Sequence, residues 1–313
     1  MKILFTSVGR RVELIQAFKK AADKLNIDLT IIGADISNSA PALMFCDKTV
    51  IVPRINTDKY IPFLQEYCRD NAVDALIPTI DTDLLLLSRN KENFGTTRII
   101  VSDPDKVAIC RDKRLTGDFF CSVGLKYPIA IDDISKYDQG FPAFIKPKDG
   151  SSSINAYKVD SLDELKSFAE MVPDYIIQPF IKGEEYTVDI FCDFSGEPIF
   201  ITPRKRLAVR AGEVLKTQIC QDEIIINEMI ALVRGFKPCG AITVQLIKDE
   251  LSGENYYIEI NPRYGGGAPL SIKAGADSTE MMLRLLNGEK AEFIDKAAED
   301  GAVFSRYDQS VRV

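Results

Sequence analysis

Five short runs of aliphatic and β-branched residues punctuate the first hundred positions: KILFTSV, LTIIGAD, KTVIVP, DALIPT and RIIVSD. Each is short and largely apolar, as strands buried on both faces are. Between the first two lies VELIQAFKKAADK, whose apolar positions 12, 15 and 18 recur at a helical period. KYIPFLQEYCRD forms a second helical segment before the fourth run. Strand alternating with helix predicts a parallel α/β lobe, because parallel neighbours need a crossover between them. There is no internal repeat.

The next stretch, SDPDKVAICRDKRLTGDFFCSVGL, reads as helical. Ser102 can cap it and Pro104 is tolerated in its first turn. The helix through Leu115, Phe119 and Phe120 should stop before Gly124. PAFIKPKDGSSSINAYKVD, SLDELKSFAEMV and YIIQPFI then read as strand, polar loop, strand, helix, strand. From Gly183 an antiparallel pair is expected, EYTVDIFCD with GEPIFITPRKR, followed by a helix around 223–235. Two more strands, AITVQLI and NYYIEINP, are joined by the turn-rich KDELSGE, and helical segments near 278–287 follow. The tail after Asp295 is weakly patterned. The expected organisation is an α/β domain at 1–102, linking helices and a small lobe at 103–180, and a C-terminal lobe at 181–313.

Composition narrows the chemistry. The 313-residue chain contains no histidine, which removes the usual neutral-pH base, histidine-ligated zinc and every histidine triad. Carboxylates, amides, lysines, arginines and backbone groups remain, an inventory suited to hard, oxygen-bound cations. Net charge is −7, which argues against a nucleic-acid partner. No apolar run approaches membrane-spanning length, and the opening MKILFTSVGRR reads as a first strand rather than a signal peptide. The seven cysteines are scattered, odd in number and without a Cys-x-x-Cys pair, so buried thiols in a reducing, cytoplasmic setting are expected. No helix face in the sequence demands a partner chain.

YYIEINPRYGGG, residues 256–267, carries the sharpest signal. Strict strand alternation puts Tyr257, Glu259 and Asn261 on one side. Thr243, Gln245 and Ile247 share a side of the other strand. If the two strands pair antiparallel, Gln245 comes beside Glu259 and Asn261, and three oxygen-bearing side chains converge. Magnesium takes such oxygens together with substrate phosphates. Taken singly, Asn261 before a proline is as readily a turn residue. Gly265, Gly266 and Gly267 allow tight turns and close ligand approach, and Arg263 could hold a phosphoryl group or a carboxylate.

With these residues in place, AITVQLIKDELSGENYYIEINPRYGGGAPLSIKAGAD closely resembles the metal-binding strands of the ATP-grasp superfamily, especially its carbamoyl-phosphate-synthase-like members. The resemblance reaches back to about Ser102 and covers roughly two thirds of the chain. It implies an α/β pre-ATP-grasp lobe followed by a two-lobed α+β ATP-grasp fold. It also implies Gln245, Glu259 and Asn261 as metal ligands and Arg263 at the phosphate end. Lys113 and Lys146 match the two nucleotide lysines. DGSSSI, with Gly150, Ser151, Ser152 and Ser153, matches the phosphate loop. Gln178, Pro179, Phe180 and Ile181 match the hinge that holds adenine, and Glu185 the ribose-binding glutamate. ATP with Mg²⁺ is the implied cofactor set, Mn²⁺ being able to substitute. Carbamoyl phosphate synthetases are far longer, with two ATP-grasp halves, and carbamoyl phosphate itself is not the expected product.

The basic stretch TPRKRLAVRAGEVLKTQ stands out in an acidic chain. The corresponding region of the family approaches the acyl phosphate, so Arg206, Arg210 and Arg263 are expected to surround a carboxylate as it is phosphorylated. In the first lobe, the TSVGRR turn with Asp35, Thr79 and Asp81 lies at carboxyl ends of strands, where the cleft of such sheets opens. The resulting expectation is a ligase that activates a small-molecule carboxylate as an acyl phosphate for attack by an amine. A kinase, another carboxylate-activating enzyme, and a non-catalytic ATP-binding sensor or partner subunit stay open at this point.

Overall fold

The computed structural model describes residues 1–149 and 154–313. The N-terminal elements are β1 (Lys2–Thr6), α1 (Val12–Leu25), β2 (Thr30–Asp35), β3 (Lys48–Ile51), α2 (Tyr60–Asn71), β4 (Ala75–Pro78), α3 (Leu84–Asn90) and β5 (Arg98–Ile99). Their strands form one parallel sheet in the order β3-β2-β1-β4-β5. Ile3 and Phe5 pack beneath α1, on Ile15 and Phe18. Leu4 and Ile32 point the other way, onto Tyr60, Leu64, Leu84 and Leu87 of α2 and α3. Period-2 alternation thus fills both faces, and all five expected strands are present.

Two helices follow, α4 (Pro104–Arg111) and α5 (Lys113–Ser122), broken at Asp112, whose carboxylate caps α5 at the Arg114 N–H. α5 ends before Gly124, as expected. Ser102 does not cap α4: its hydroxyl accepts from the Cys239 N–H, and Asp103 takes the N-cap position.

β6 (Ala143–Pro147), β7 (Tyr157–Val159), α6 (Leu162–Met171) and β8 (Tyr175–Pro179) form a small lobe with sheet order β7-β6-β8. Ala143, Ile145, Val159 and Ile177 bury one face against Leu165 of α6. Lys146 and Phe144, with Gln178 opposite Phe144 in register, occupy the other face.

The last part contains β9 (Gly183–Cys192), β10 (Pro198–Arg210), β11 (Glu213–Ile219), α7 (Glu223–Phe236), β12 (Ala241–Asp249), β13 (Asn255–Asn261), α8 (Ala268–Lys273), α9 (Ser278–Leu286) and β14 (Val303–Ser305). Its six strands pair in the order β13-β12-β9-β10-β11-β14. One face is apolar: Val188, Ile190, Ile201, Val244 and Leu246 pack on α7 and on Phe120 of α5. The other face changes character along the strands. Phe191, Phe200 and Ala241 lie under Tyr264 and Ala268. Further along come Asp189, Thr202 and Thr243, then Thr187, Arg204 and Gln245, which are register partners across β9, β10 and β12. A half-polar face of this kind calls for a ligand or a second lobe above it.

α1 also packs against α8 and α9. The Phe18 and Tyr264 rings meet edge-on at 6.1 Å, and Lys273 pairs with Glu13 at 2.6 Å. The first lobe is therefore locked onto the sheet that carries Glu259. Elements β11, α8 and β14 lack a strong sequence signal and form through long-range partners. β11 returns from β10 through Ala211 and Gly212, both at positive φ, the two-residue geometry that suits a twisted hairpin. Among the described residues no helix is long and apolar enough to cross a membrane, and the seven thiols are unbridged.

Candidate active site

β12 and β13 pair antiparallel with Gln245 directly opposite Glu259 and Thr243 opposite Asn261. This is the juxtaposition that alternation and the intervening turn imply. Tyr257 departs from it. The register shifts between Gln245 and Leu246, so Tyr257 faces Leu246 and turns to the apolar side, fully buried, its hydroxyl donating to Glu228 at 2.6 Å. A bulge breaks period-2 alternation by one residue, which is why Tyr257 does not share the face of Glu259.

The oxygen set is held by arginines. Arg206 Nη1 donates to Gln245 Oε1 at 3.1 Å and lies 3.4 Å from Glu185. Asn261 Nδ2 donates to Glu259 Oε1 at 2.9 Å, while Arg263 Nη2 reaches Asn261 Oδ1 at 3.4 Å. Arg206 and Arg263 are largely buried, and the Nε of each lacks a hydrogen-bond partner. Buried N–H groups without partners are costly, so both arginines are held here at some expense. One carboxylate and two amides make an oxygen-only set that fits a hard cation sharing its shell with phosphates. Among the described residues, no three His, Cys, Asp or Glu side chains gather as a metal site. Any cation here therefore depends on the amide oxygens and on the nucleotide.

Two lysines meet Glu259 from other lobes. Lys146, 7 % exposed on β6, is pushed down to about 8 by burial and by nearby Lys113, while Glu259 opposes the shift. Lys113, the first residue of α5, is lowered by burial, with Glu259, Asp149 and Asp112 opposing. Its main-chain N–H donates to the Lys148 carbonyl at 2.9 Å, tying α5 to the end of β6. A linking helix, the small lobe and the large sheet thus contribute charge around Glu259.

Other expected residues are placed differently. Arg210 is exposed and pairs with Asp308 at 3.0 Å. Two register shifts between Arg206 and Val209 separate it from the face of Arg206. Gln178 turns its amide to the Pro128 carbonyl. The Phe180 N–H donates to the Pro142 carbonyl at 3.1 Å, so that donor is not open to an adenine edge. Pro179 ends β8, and Ile181 lies in the crossing to β9, the hinge position between the sheets. Gly150, Ser151, Ser152 and Ser153 lie outside the described residues.

The three glycines both turn and pack: Gly266 and Gly267 form the centre of a turn closed by the Ala268 N–H on the Gly265 carbonyl at 3.1 Å. None has positive φ. A Cβ at Gly265 would fall 2.7 Å from Thr243 Oγ1, at Gly266 2.5 Å from Glu213 Oε2, and at Gly267 2.7 Å from Arg204 Nη2. Arg204 is 1 % exposed and donates to Asp189 at 2.7 Å, and Ser271 donates to the same oxygen at 2.6 Å. The segment after Arg263 therefore lies directly on a buried ion pair, which positions it. Arg11, Glu213 and Arg306 also converge near Arg263. The TSVGRR turn that ends in Arg11 is expected at the cleft from its sequence, whereas sequence pattern does not single out Glu213 and Arg306, because they come from distant segments.

Residues 3–101 match a family described as "PylC-like, N-terminal domain", and residues 171–306 match "ATP-grasp in the biosynthetic pathway with Ter operon". A carbamoyl-phosphate synthase of Methanobrevibacter smithii is 24 % identical over 276 residues, 81 % of this chain and 72 % of that protein. A 3-methyl-D-ornithine–L-lysine ligase of Methanosarcina mazei is 25 % identical over 224 residues, 69 % of this chain and 56 % of its own length. The biotin carboxylase domain of a Hydrogenobacter thermophilus 2-oxoglutarate carboxylase, solved with MgADP and bicarbonate, superposes with a TM-score of 0.79. That match covers 96 % of this chain and 73 % of the other at 17 % identity, and it shows the shared fold. The family matches, these relatives and the shared architecture agree: residues 171–306 carry an ATP-grasp unit, preceded at 3–101 by a PylC-like N-terminal domain, and the chain is similar to carbamoyl-phosphate synthase and to amino-acid ligases.

Proposed function

We propose that the protein is an ATP- and Mg²⁺-dependent ligase that activates a small-molecule carboxylate as an acyl phosphate and passes it to an amine. The observation that carries this reading is the meeting of Lys113 of a linking helix, Lys146 of the small lobe and Glu259 of the large sheet, with Gln245 in register beside Glu259. The relatives include proteins named as a 3-methyl-D-ornithine–L-lysine ligase and a D-alanine–D-alanine ligase.

Lys113 and Lys146 place positive charge on the triphosphate, and burial strengthens that attraction. Ile181 and its neighbours at the crossing from β8 to β9 offer main chain to adenine, and Glu185, half exposed beside Arg206, offers a carboxylate to ribose. Gln245, Glu259 and Asn261 would hold Mg²⁺, or Mn²⁺ in its place, and a bound ion there neutralises phosphate charge. Arg263 stabilises negative charge on the transferring phosphoryl group. A carboxylate oxygen attacks the terminal phosphorus, the bond to the bridging oxygen breaks, and ADP departs with that electron pair. The amine nitrogen then attacks the acyl carbon, the carbon–oxygen bond breaks, phosphate leaves with the pair, and the amine proton passes to solvent. Arg206 acts through Gln245 and Glu185 as a positioning residue. None of these steps calls for histidine.

The test is a panel of carboxylates with ATP and Mg²⁺, reading ADP release, repeated with amines and followed by product mass. Amine-dependent amide formation supports the ligase. ADP release with a phosphorylated product and no amide would make the protein a kinase. Tight ATP binding with no ADP from any acid would make it a sensor.

A further inference from the structure

The bulge that aims Glu259 is gripped from the far side of the sheet. Glu259 faces Gln245 and Tyr257 faces Leu246, so Ile258 is an extra residue with no partner on β12. Strict alternation would put Tyr257 and Glu259 on one face. The extra residue parts them. The Tyr257 ring enters the apolar side against Phe120 of α5, with ring centroids 5.4 Å apart, while Glu259 stays beside Gln245. Three bonds hold the strand before the bulge. The Tyr257 N–H donates to the Lys126 carbonyl at 2.8 Å. The Tyr257 hydroxyl and Asn255 Nδ2 both donate to one oxygen, Oε2 of Glu228, at 2.6 and 2.7 Å. Glu228 is half-buried on α7, which packs on the apolar face, and Tyr257 and Asn255 are 0 % and 6 % exposed.

Bonds to a carboxylate are stronger than neutral ones, and two of them meet on one atom here. Without Glu228 both donors would be buried unpaired, which costs more than the bonds are worth net. The strand has one simple escape: to lose the bulge and return to strict alternation. Tyr257 and Glu259 would then share a face again, and either the ring would leave the core or Glu259 would leave the cleft. Bulges beside active sites re-aim side chains in this way. We infer that Glu228 is a positioning residue for the cation site: by holding Tyr257 and Asn255 it fixes the bulge at Ile258 that turns Glu259 toward Gln245. The inference rests on the metal reading of Gln245, Glu259 and Asn261 above, and adds to it a residue on the opposite face of the sheet that sets its geometry.

The experiment is calorimetric titration of the full chain with β,γ-imido-ATP, once as its Mn²⁺ complex and once in EDTA. The ratio of the two affinities reads what the metal adds. Glu228→Ala should shrink that ratio by about threefold or more, as losing an indirect support of a metal ligand does. Its metal-free nucleotide affinity should stay within about twofold of wild type. Glu228→Gln keeps an amide oxygen that can accept both bonds, so its ratio should stay within about twofold of wild type. A residue that only stabilised the fold would lower the unfolding temperature and leave the ratio alone. Should Glu228→Ala fold poorly, Tyr257→Phe carries the same comparison: it keeps the ring, removes the hydroxyl, and should shrink the ratio too. An unchanged ratio in Tyr257→Phe and in folded Glu228→Ala, or as large a loss in Glu228→Gln as in Glu228→Ala, would overturn the inference and leave the metal reading standing. A ratio of one in the wild-type chain, or a wild-type ratio in Glu259→Gln, would overturn both.

Discussion

Gln245 and Glu259 are register partners on neighbouring strands, and Arg206, which donates to Gln245, also reaches Glu185 one strand further in. The oxygen donors are thus cross-braced before any ligand arrives, which lowers the ordering cost of binding. Replacing Glu259 by Gln removes the only carboxylate of the donor set. ADP release should fall by about two orders of magnitude, the scale of losing a charge on the reacting phosphates. Metal-free ATP binding, read by calorimetry in EDTA, should change little. Full turnover in Glu259→Gln would remove the metal site from this position.

Arg206 and Arg210 should separate in a steady-state assay. Arg206→Ala removes the brace on Gln245 and leaves Glu185 without its cation, so turnover should drop by about tenfold or more. Arg210→Ala breaks one exposed pair with Asp308, worth about 0–1 kcal/mol, and turnover should stay within about twofold of wild type. Equal losses would place Arg210 back at the site.

Lys146 makes stability depend on pH. Its folded-state value of about 8 lies below the ordinary 10.5. Between these values the unfolded chain binds the extra proton, so stability of the nucleotide-free protein should rise as pH rises through that window. Lys146→Met should remove the slope and stabilise the free protein at pH 7 by about 1–3 kcal/mol, measured by urea unfolding at pH 7 and pH 10. ATP affinity should weaken in the same variant. An unchanged slope would show that Lys146 is not the titrating group.

Gly267→Ala and Gly266→Ala should differ. The added methyl at 267 meets the guanidinium of buried Arg204 and the Val214 side chain at 3.0 Å, and the ion pair to Asp189 must shift. A loss of about 1–3 kcal/mol is expected from such overpacking. At 266 it meets the far end of exposed Glu213, which can swing aside, and the loss should be smaller. Thermal unfolding of both variants checks the order, and the reverse order would contradict the packing role assigned to Gly267.

Arg204→Met should be more damaging than either. It leaves Asp189 buried without its cation, and one Asp189 oxygen already lacks a partner. A loss of about 3–5 kcal/mol is expected. Adding Asp189→Asn should restore part of it in a double-variant unfolding experiment.

Much of the fold and part of the site were readable from local pattern. Alternation and turn chemistry placed β12 beside β13, and so Gln245 beside Glu259, because side-chain facing in a strand depends only on residue count. The same count misplaced Tyr257, because it lies across a register shift that the neighbouring strand imposes. The glycines after Arg263 were visible, but their reason was not: nothing local tells residue 267 that Arg204 will lie beneath it.

The residue inventory on its own established the alternating α/β start and the absence of histidine chemistry, because both follow from composition and short-range period. The fold alone decided which charges meet: Lys113 and Lys146 near Glu259, and Arg11, Asp81, Glu213 and Arg306 near Arg263, which itself reaches Asn261. Coulombic interaction depends on distance through space and on burial, and neither can be counted along the chain.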